Sequence, residues 1–117
     1  MIRADFFISR SGNLRGFTVC GHAAQNVCDM QGKLICAAVS SAAYCVANTL
    51  GRLPDVSPKI QVTGGKMRLR LSREDEENPV CAALIKGFLA HMRQLRRQYP
   101  ERICEPIYRC GLRTARG

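Results

Sequence analysis

Between Leu34 and Gly51 the chain carries no charged side chain, although Asp, Glu, Lys and Arg make up 23% of its 117 residues. A stretch of that kind is withdrawn from water as a helix, either in a protein core or in a bilayer, where about 17 residues is the shortest span. Ser40, Ser41, Tyr44, Asn48 and Thr49 interrupt it, and many of its apolar positions are only Ala. Hydropathy that weak suits a helix buried in a core, so no membrane span is expected. The expected helix covers 34–51 and ends at Gly51 as its C′ residue.

The flanking segments read as strands and one further helix. Residues 2–9 and 14–20 form a hairpin across Ser11-Gly12-Asn13, and Gly21 then opens a loop over 21–33. A loop that long inside a small domain is functional or mobile, and Gly32 near its far end reads as a hinge. Gly64-Gly65 joins strands 59–63 and 66–72. In the second of these, Met67, Leu69 and Leu71 alternate with Lys66, Arg68 and Arg70, giving one buried and one basic face.

Asn78 as cap and Pro79 at the first turn open the second helix. Its stripe of Cys81, Leu84, Ile85, Phe88, Met92, Leu95 and Tyr99 recurs at helical spacing. Glu74–Glu77 before it and Arg93, Arg96 and Arg97 near its end read as charges placed for the helix dipole. Pro100 stops it, and 102–109 is a short strand that Pro106 confines to a sheet edge. Residues 111–117 read as a flexible tail. The expectation is one α+β domain over 1–117 in ββαββα order. It combines a mostly antiparallel sheet, a buried central helix and a second amphipathic helix.

Charge and cysteine content narrow the setting. The net charge of +9 suits a neighbourhood rich in polyanions, such as the ribosome. With no Trp, three Tyr and four Phe, the chain has few rings for stacking on bases. Seven Cys without close pairs do not make a disulfide framework. With no signal peptide after Met1, free thiols in a reducing cytoplasm are expected.

Chemistry has few places to reside. His91 reads as a boundary residue of the second helix, whereas His22 follows Gly21 where a strand gives way to the long loop. Cys36 falls in the first turn of the expected helix, where free N–H groups and Lys33 favour a thiolate. A thiolate beside an imidazole is the nucleophile and base of a cysteine hydrolase. The same helix start offers N–H donors to an oxyanion. Spacing alone also admits an inert packing thiol at Cys36, or a Cys3His zinc centre from Cys20, His22, Cys28 and Cys36 without a C-x2-C pair. A third reading is a non-catalytic basic ribosome-associated module, with Arg68, Arg70, Arg93, Arg96 and Arg97 meeting phosphates.

The segment GFTVCGH at 16–22, followed by Ala23 and the block Cys36-Ala37-Ala38-Val39-Ser40, resembles the ribosomal-processing cysteine protease family. The resemblance extends over Ile2–Tyr99 and the ββαββα order. It implies a bacterial cytoplasmic endopeptidase and homodimer. Such an enzyme removes a short N-terminal extension from ribosomal protein twenty-seven of the large subunit, cutting after a short aromatic stretch. It implies Cys36 as nucleophile and His22 as general base, with no metal or organic cofactor. Ser40, one helical turn from Cys36, is a supporting residue. The sequence departs from the family in carrying Lys33 where an Asp usually stands three residues before the Cys. That leaves Asp29 as the loop acid able to orient His22.

Overall fold

The computed structural model describes residues 1–110. Five strands, β1 (Ile2–Ile8), β2 (Leu14–Gly21), β3 (Lys59–Thr63), β4 (Lys66–Arg70) and β5 (Ile107–Cys110), form one sheet in the order β3-β4-β2-β1-β5. Neighbours pair antiparallel except β5, which runs parallel to β1 at the sheet edge directly after Pro106. Helix α1 (Met30–Arg52) follows β2, and helix α2 (Pro79–Gln98) follows β4 after a 3-10 turn at Asp75–Glu77. The architecture is the expected α+β one. The proposed tail at 111–117 lies outside the described residues.

Both helices pack on one face of the sheet, because strand alternation sends the apolar residues there. Ile2, Ala4 and Phe6 of β1, Phe17 and Val19 of β2, and Met67 and Leu69 of β4 are buried in one cluster with the apolar stripes of α1 and α2. Phe6, Phe17 and Phe88 meet at its centre with ring centroids 4.5–5.9 Å apart. Helix α1 is long and apolar enough to cross a membrane by length and composition. Here one of its sides, Ile35, Val39, Ala43, Val46, Ala47 and Leu50, enters the protein core, as expected for the uncharged stretch.

Three expectations need correction, the first being the end of the central helix, which runs through Gly51 to Arg52 with Leu53 as its C-cap, so Gly51 is not its C′ residue. The central helix starts at Met30 rather than Leu34, capped by Asp29, whose carboxylate accepts from the Gly32 N–H at 3.0 Å. Gly32 is therefore buried in the first turn and is no hinge. A Cβ there would lie 2.4 Å from Ala24 Cα and 2.5 Å from the Arg102 guanidinium.

The acidic run also does more than face the helix dipole. Asp75 accepts from the Ser57 N–H at 3.1 Å. Glu76 is 2% exposed and accepts from Ser9 at 2.5 Å, Ser11 at 3.3 Å and Asn13 at 3.2 Å, with Arg15 at 3.7 Å. It ties the tip of the β1–β2 hairpin to the start of α2. That start is as expected, with Asn78 Oδ1 accepting from the Val80 and Cys81 N–H groups.

Truncating the two kinds of buried anchor should give different unfolding costs. Phe88→Ala is expected to lower the unfolding free energy by about 3–5 kcal/mol through cavity formation. Glu76→Ala should cost about 1–3 kcal/mol through stranded donors. Urea titration monitored by circular dichroism measures both.

Candidate active site

The site forms where β2 ends and α1 runs past it. Gly21 terminates β2 with φ +99°, opposite Ile2. A Cβ at Gly21 would lie 2.2 Å from the Met1 carbonyl oxygen, so a larger residue cannot make this turn without displacing β1. The turn leaves His22 exposed at the sheet edge. Across from it stands the β3–β4 hairpin tip, where Gly64 and Gly65 take φ +50° and +78°. A Cβ on Gly65 would sit 3.8 Å from His22 Cε1, so only an added side chain there would reach van der Waals contact with the imidazole.

His22, Cys36 and Ser40 line one cavity of about 170 Å3. Its apolar walls include Ile2, Val39, Ala43, Tyr44, Val62 and Met67. The structure thus brings together the residue types of a cysteine hydrolase beside a pocket suited to apolar side chains.

Cys36 is half-buried in the second turn of α1, not the first. The dipole effect falls off within the first turn, so the free N–H groups of the helix start do not act on this thiol. The same shift removes them as the expected oxyanion donors. Instead the Ala23 backbone N–H donates to Cys36 Sγ at 3.2 Å. Lys33 lies exposed on α1.

Asp29 does not orient His22. Its oxygens accept from the N–H groups of Gln25 and Gly32, both at 3.0 Å, and from the Arg102 guanidinium at 2.5 Å. The bond from Arg102 is the foremost cause that holds the Asp29 carboxyl at about 2, below its ordinary 3.8, and the Gln25 and Gly32 N–H groups add to it. Arg102 also donates to the Ala23 carbonyl at 3.0 Å. Residue Ala23 is therefore held through the peptides on both of its sides, with its carbonyl oxygen on Arg102 and its N–H on the Cys36 sulfur.

Sequence reasoning missed this clamp. A backbone N–H carries no side-chain signature, and Arg102 is one of 18 basic residues without a motif around it. The zinc reading fails on geometry. Among the described residues no three His, Cys, Asp or Glu side chains are grouped to hold a metal ion, and Cys28 is an exposed thiol in the loop before α1.

Known proteins share this arrangement of elements. The chain is similar in fold to an essential ribosomal processing protease, Prp, from Staphylococcus aureus, solved with a covalently linked product peptide. The two share 22% identity at a TM-score of 0.78, over 93% of this chain and 100% of that one. A second structure of that protease, with a substrate peptide, matches at 20% identity and TM-score 0.79, over 93% of this chain and 100% of that one. SMU.848 from Streptococcus mutans matches at 25% identity and TM-score 0.79, over 94% of this chain and 98% of that one. No curated protein matches. The model of the cysteine protease Prp family spans residues 1–104, from the first strand past Arg102, and the chain belongs to that family.

Proposed function

We propose that this chain is an endopeptidase that removes the short N-terminal extension of ribosomal protein twenty-seven of the large subunit, with Cys36 as nucleophile and His22 as general base. The observation that carries the reading is the shared cavity of His22 and Cys36, with a backbone N–H aimed at the sulfur. Family membership supplies the cysteine protease chemistry, and the S. aureus relative is a ribosomal processing protease that accepts a peptide. The apolar walls suit the aromatic residues expected before the cut.

His22 takes the proton of the Cys36 thiol, and the sulfur attacks the scissile carbonyl to form a C–S bond. His22 then returns the proton to the amine as the C–N bond breaks, leaving a thioester. Water, deprotonated by His22, displaces the sulfur and releases the acid. Ser40, one turn beyond Cys36 on the cavity wall, is a polar group within the site.

We further propose a homodimer in the reducing cytoplasm of a bacterium. The exposed Leu34 and Cys45 on the solvent side of α1 support this assembly. The non-catalytic ribosome-binding reading leaves the cavity that His22 and Cys36 share without a role.

Incubation with the extended N-terminal peptide of the ribosomal protein, followed by mass spectrometry, tests the reading. The wild type should cut one bond and Cys36→Ala none. His22→Ala should slow the cut by about 10²–10⁴-fold. A folded Cys36→Ala variant that still cleaves would overturn the assignment. Sedimentation should give the mass of two chains.

The clamp on Ala23 has its own readout. Arg102→Ala should change the rate of Cys36 alkylation by iodoacetamide at pH 7 severalfold, because it frees the residue whose N–H meets the sulfur, with Arg102→Lys in between. Peptide mapping separates Cys36 from the other six thiols. An unchanged rate in the folded variant would leave the clamp a purely structural role. Asp29 titrates at about 2 when folded and near 3.8 when unfolded, so its stabilisation is complete above about pH 4 and fades as pH falls toward 2. Asp29→Asn should remove that part of the acid sensitivity, read from unfolding midpoints across this range.

A further inference from the structure

The Ala23 N–H stands beside the reacting sulfur, and the steps written for His22 and Cys36 give it no task. It donates to Cys36 Sγ at 3.2 Å from a residue that is 5% exposed. Acyl transfer places a negative oxygen on the carbon that the sulfur attacks, and donors fixed in advance at that oxygen supply much of the rate. The start of α1 does not serve, because Cys36 lies a turn further on and the Asp29 carboxylate already takes the Gly32 N–H there. Among the described residues, the Ala23 N–H is the donor that reaches the Cys36 sulfur.

We propose that the Ala23 N–H is the oxyanion donor of the acyl-transfer step, passing from the sulfur to the carbonyl oxygen as the C–S bond forms. The proposal rests on Cys36 as the attacking sulfur and deepens that reading. A sulfur lone pair becomes the C–S bond, the carbonyl π pair moves onto oxygen, and the negative charge leaves the sulfur. The new oxyanion is two bonds from the sulfur, within reach of a donor that already touches it. A thioether sulfur is a weak acceptor and a charged oxygen a strong one, so the hydrogen bond follows the charge.

The surroundings of Ala23 supply the rigidity that such a donor needs. Arg102 donates to the Ala23 carbonyl at 3.0 Å and to Asp29 at 2.5 Å, and Asp29 caps the helix that carries Cys36. Donor and nucleophile are therefore fixed to one another through a single ion pair. On the other side Ala24 packs so closely on Gly32 that a Cβ there would lie 2.4 Å from Ala24 Cα. The donor also belongs to the His22–Ala23 peptide bond, so the base and the donor come from adjacent residues. Arg102 acts through Ala23 and is a positioning residue.

Two reactions at the one sulfur test the proposal without the ribosomal peptide. The p-nitrophenyl ester of N-acetylphenylalanine, whose ring suits the apolar walls, acylates a thiolate through a tetrahedral oxyanion and releases p-nitrophenolate. Iodoacetamide alkylates the same thiolate at a saturated carbon, releasing iodide with no oxyanion. Peptide mapping reads each product at Cys36 apart from the other six thiols. Replacing Ala23 by lactic acid in semisynthetic protein turns the His22–Ala23 amide into an ester, which removes this N–H and keeps the methyl group. Acylation should slow by about 10²–10³-fold, while alkylation changes severalfold at most.

Arg102→Ala should lose acylation by a larger factor than its alkylation changes, and Arg102→Lys should recover part of that loss. This pair decides by the same comparison if the ester variant does not fold. Equal losses in the two reactions would confine the donor to the sulfur and overturn the proposal. Unchanged acylation in the folded ester variant would overturn it too, as would a wild-type Cys36 that is alkylated but never acylated. Acylation in the expected pattern by a protein that leaves the ribosomal peptide uncut would support the proposal and count against the substrate alone.

Discussion

The carboxylate of Asp29 is the contact on which the rest of this site depends. It caps α1 through the Gly32 N–H, closes the preceding loop through the Gln25 N–H, and receives Arg102 from beyond α2. Because Arg102 also holds the Ala23 carbonyl, one ion pair joins the loop after β2, the start of α1 and the C-terminal segment. Charge-assisted bonds of this kind are roughly twice as strong as neutral ones. The lowered pKa of Asp29, about 2 against an ordinary 3.8, extends the charged pair into acid. Gly32 is the sequence requirement for the clamp, since Ala24 and Arg102 fill the space that any side chain there would need.

Strand alternation gives the two faces of the sheet unlike chemistry. The inward residues Phe6, Phe17 and Leu69 meet Phe88 and the helices, while the outward row of β4 stays cationic. Glu76 and Asp75 are spent inside, binding the hairpin tip and the segment before β3. The cavity, by contrast, lies at the end of β2, where the backbone leaves the sheet and its groups become available to a peptide.

How much of this was legible in the sequence differed from element to element. Alternation in β4, the Gly64-Gly65 turn and the Asn78-Pro79 start each act locally, and the structure follows them. The start of α1 was displaced by four residues because Met30, Gln31, Gly32 and Lys33 lack an apolar pattern. The signal present was Asp29 itself, an N-cap residue whose bond closes onto the N–H three positions later. Burial of Glu76 depends on Ser9, Ser11 and Asn13, more than sixty residues away, and no window of sequence reveals such a partner. The thiol and the imidazole were legible as residue types, whereas the Ala23 N–H at the sulfur exists only once the clamp has formed.

That distinction bears on how the proposed dyad would pair an exposed histidine with a half-buried thiol. With Asp29 committed to Arg102, the carboxylate singled out from the loop is not available to fix the His22 ring, and the residue across from it is the side-chain-free Gly65. Water around an exposed imidazole weakens any attraction between its cation and a thiolate, which at 4 Å falls to about 1 kcal/mol in bulk solvent. A peptide lying over the cavity would displace that water and confine the ring between itself and the hairpin tip, strengthening the pair. The sulfur side needs no such help, because Ala23 is already held. Substrate binding therefore has more to do at His22 than at Cys36, and changes at Gly65 should act on turnover of bound peptide more than on the reactivity of the free thiol.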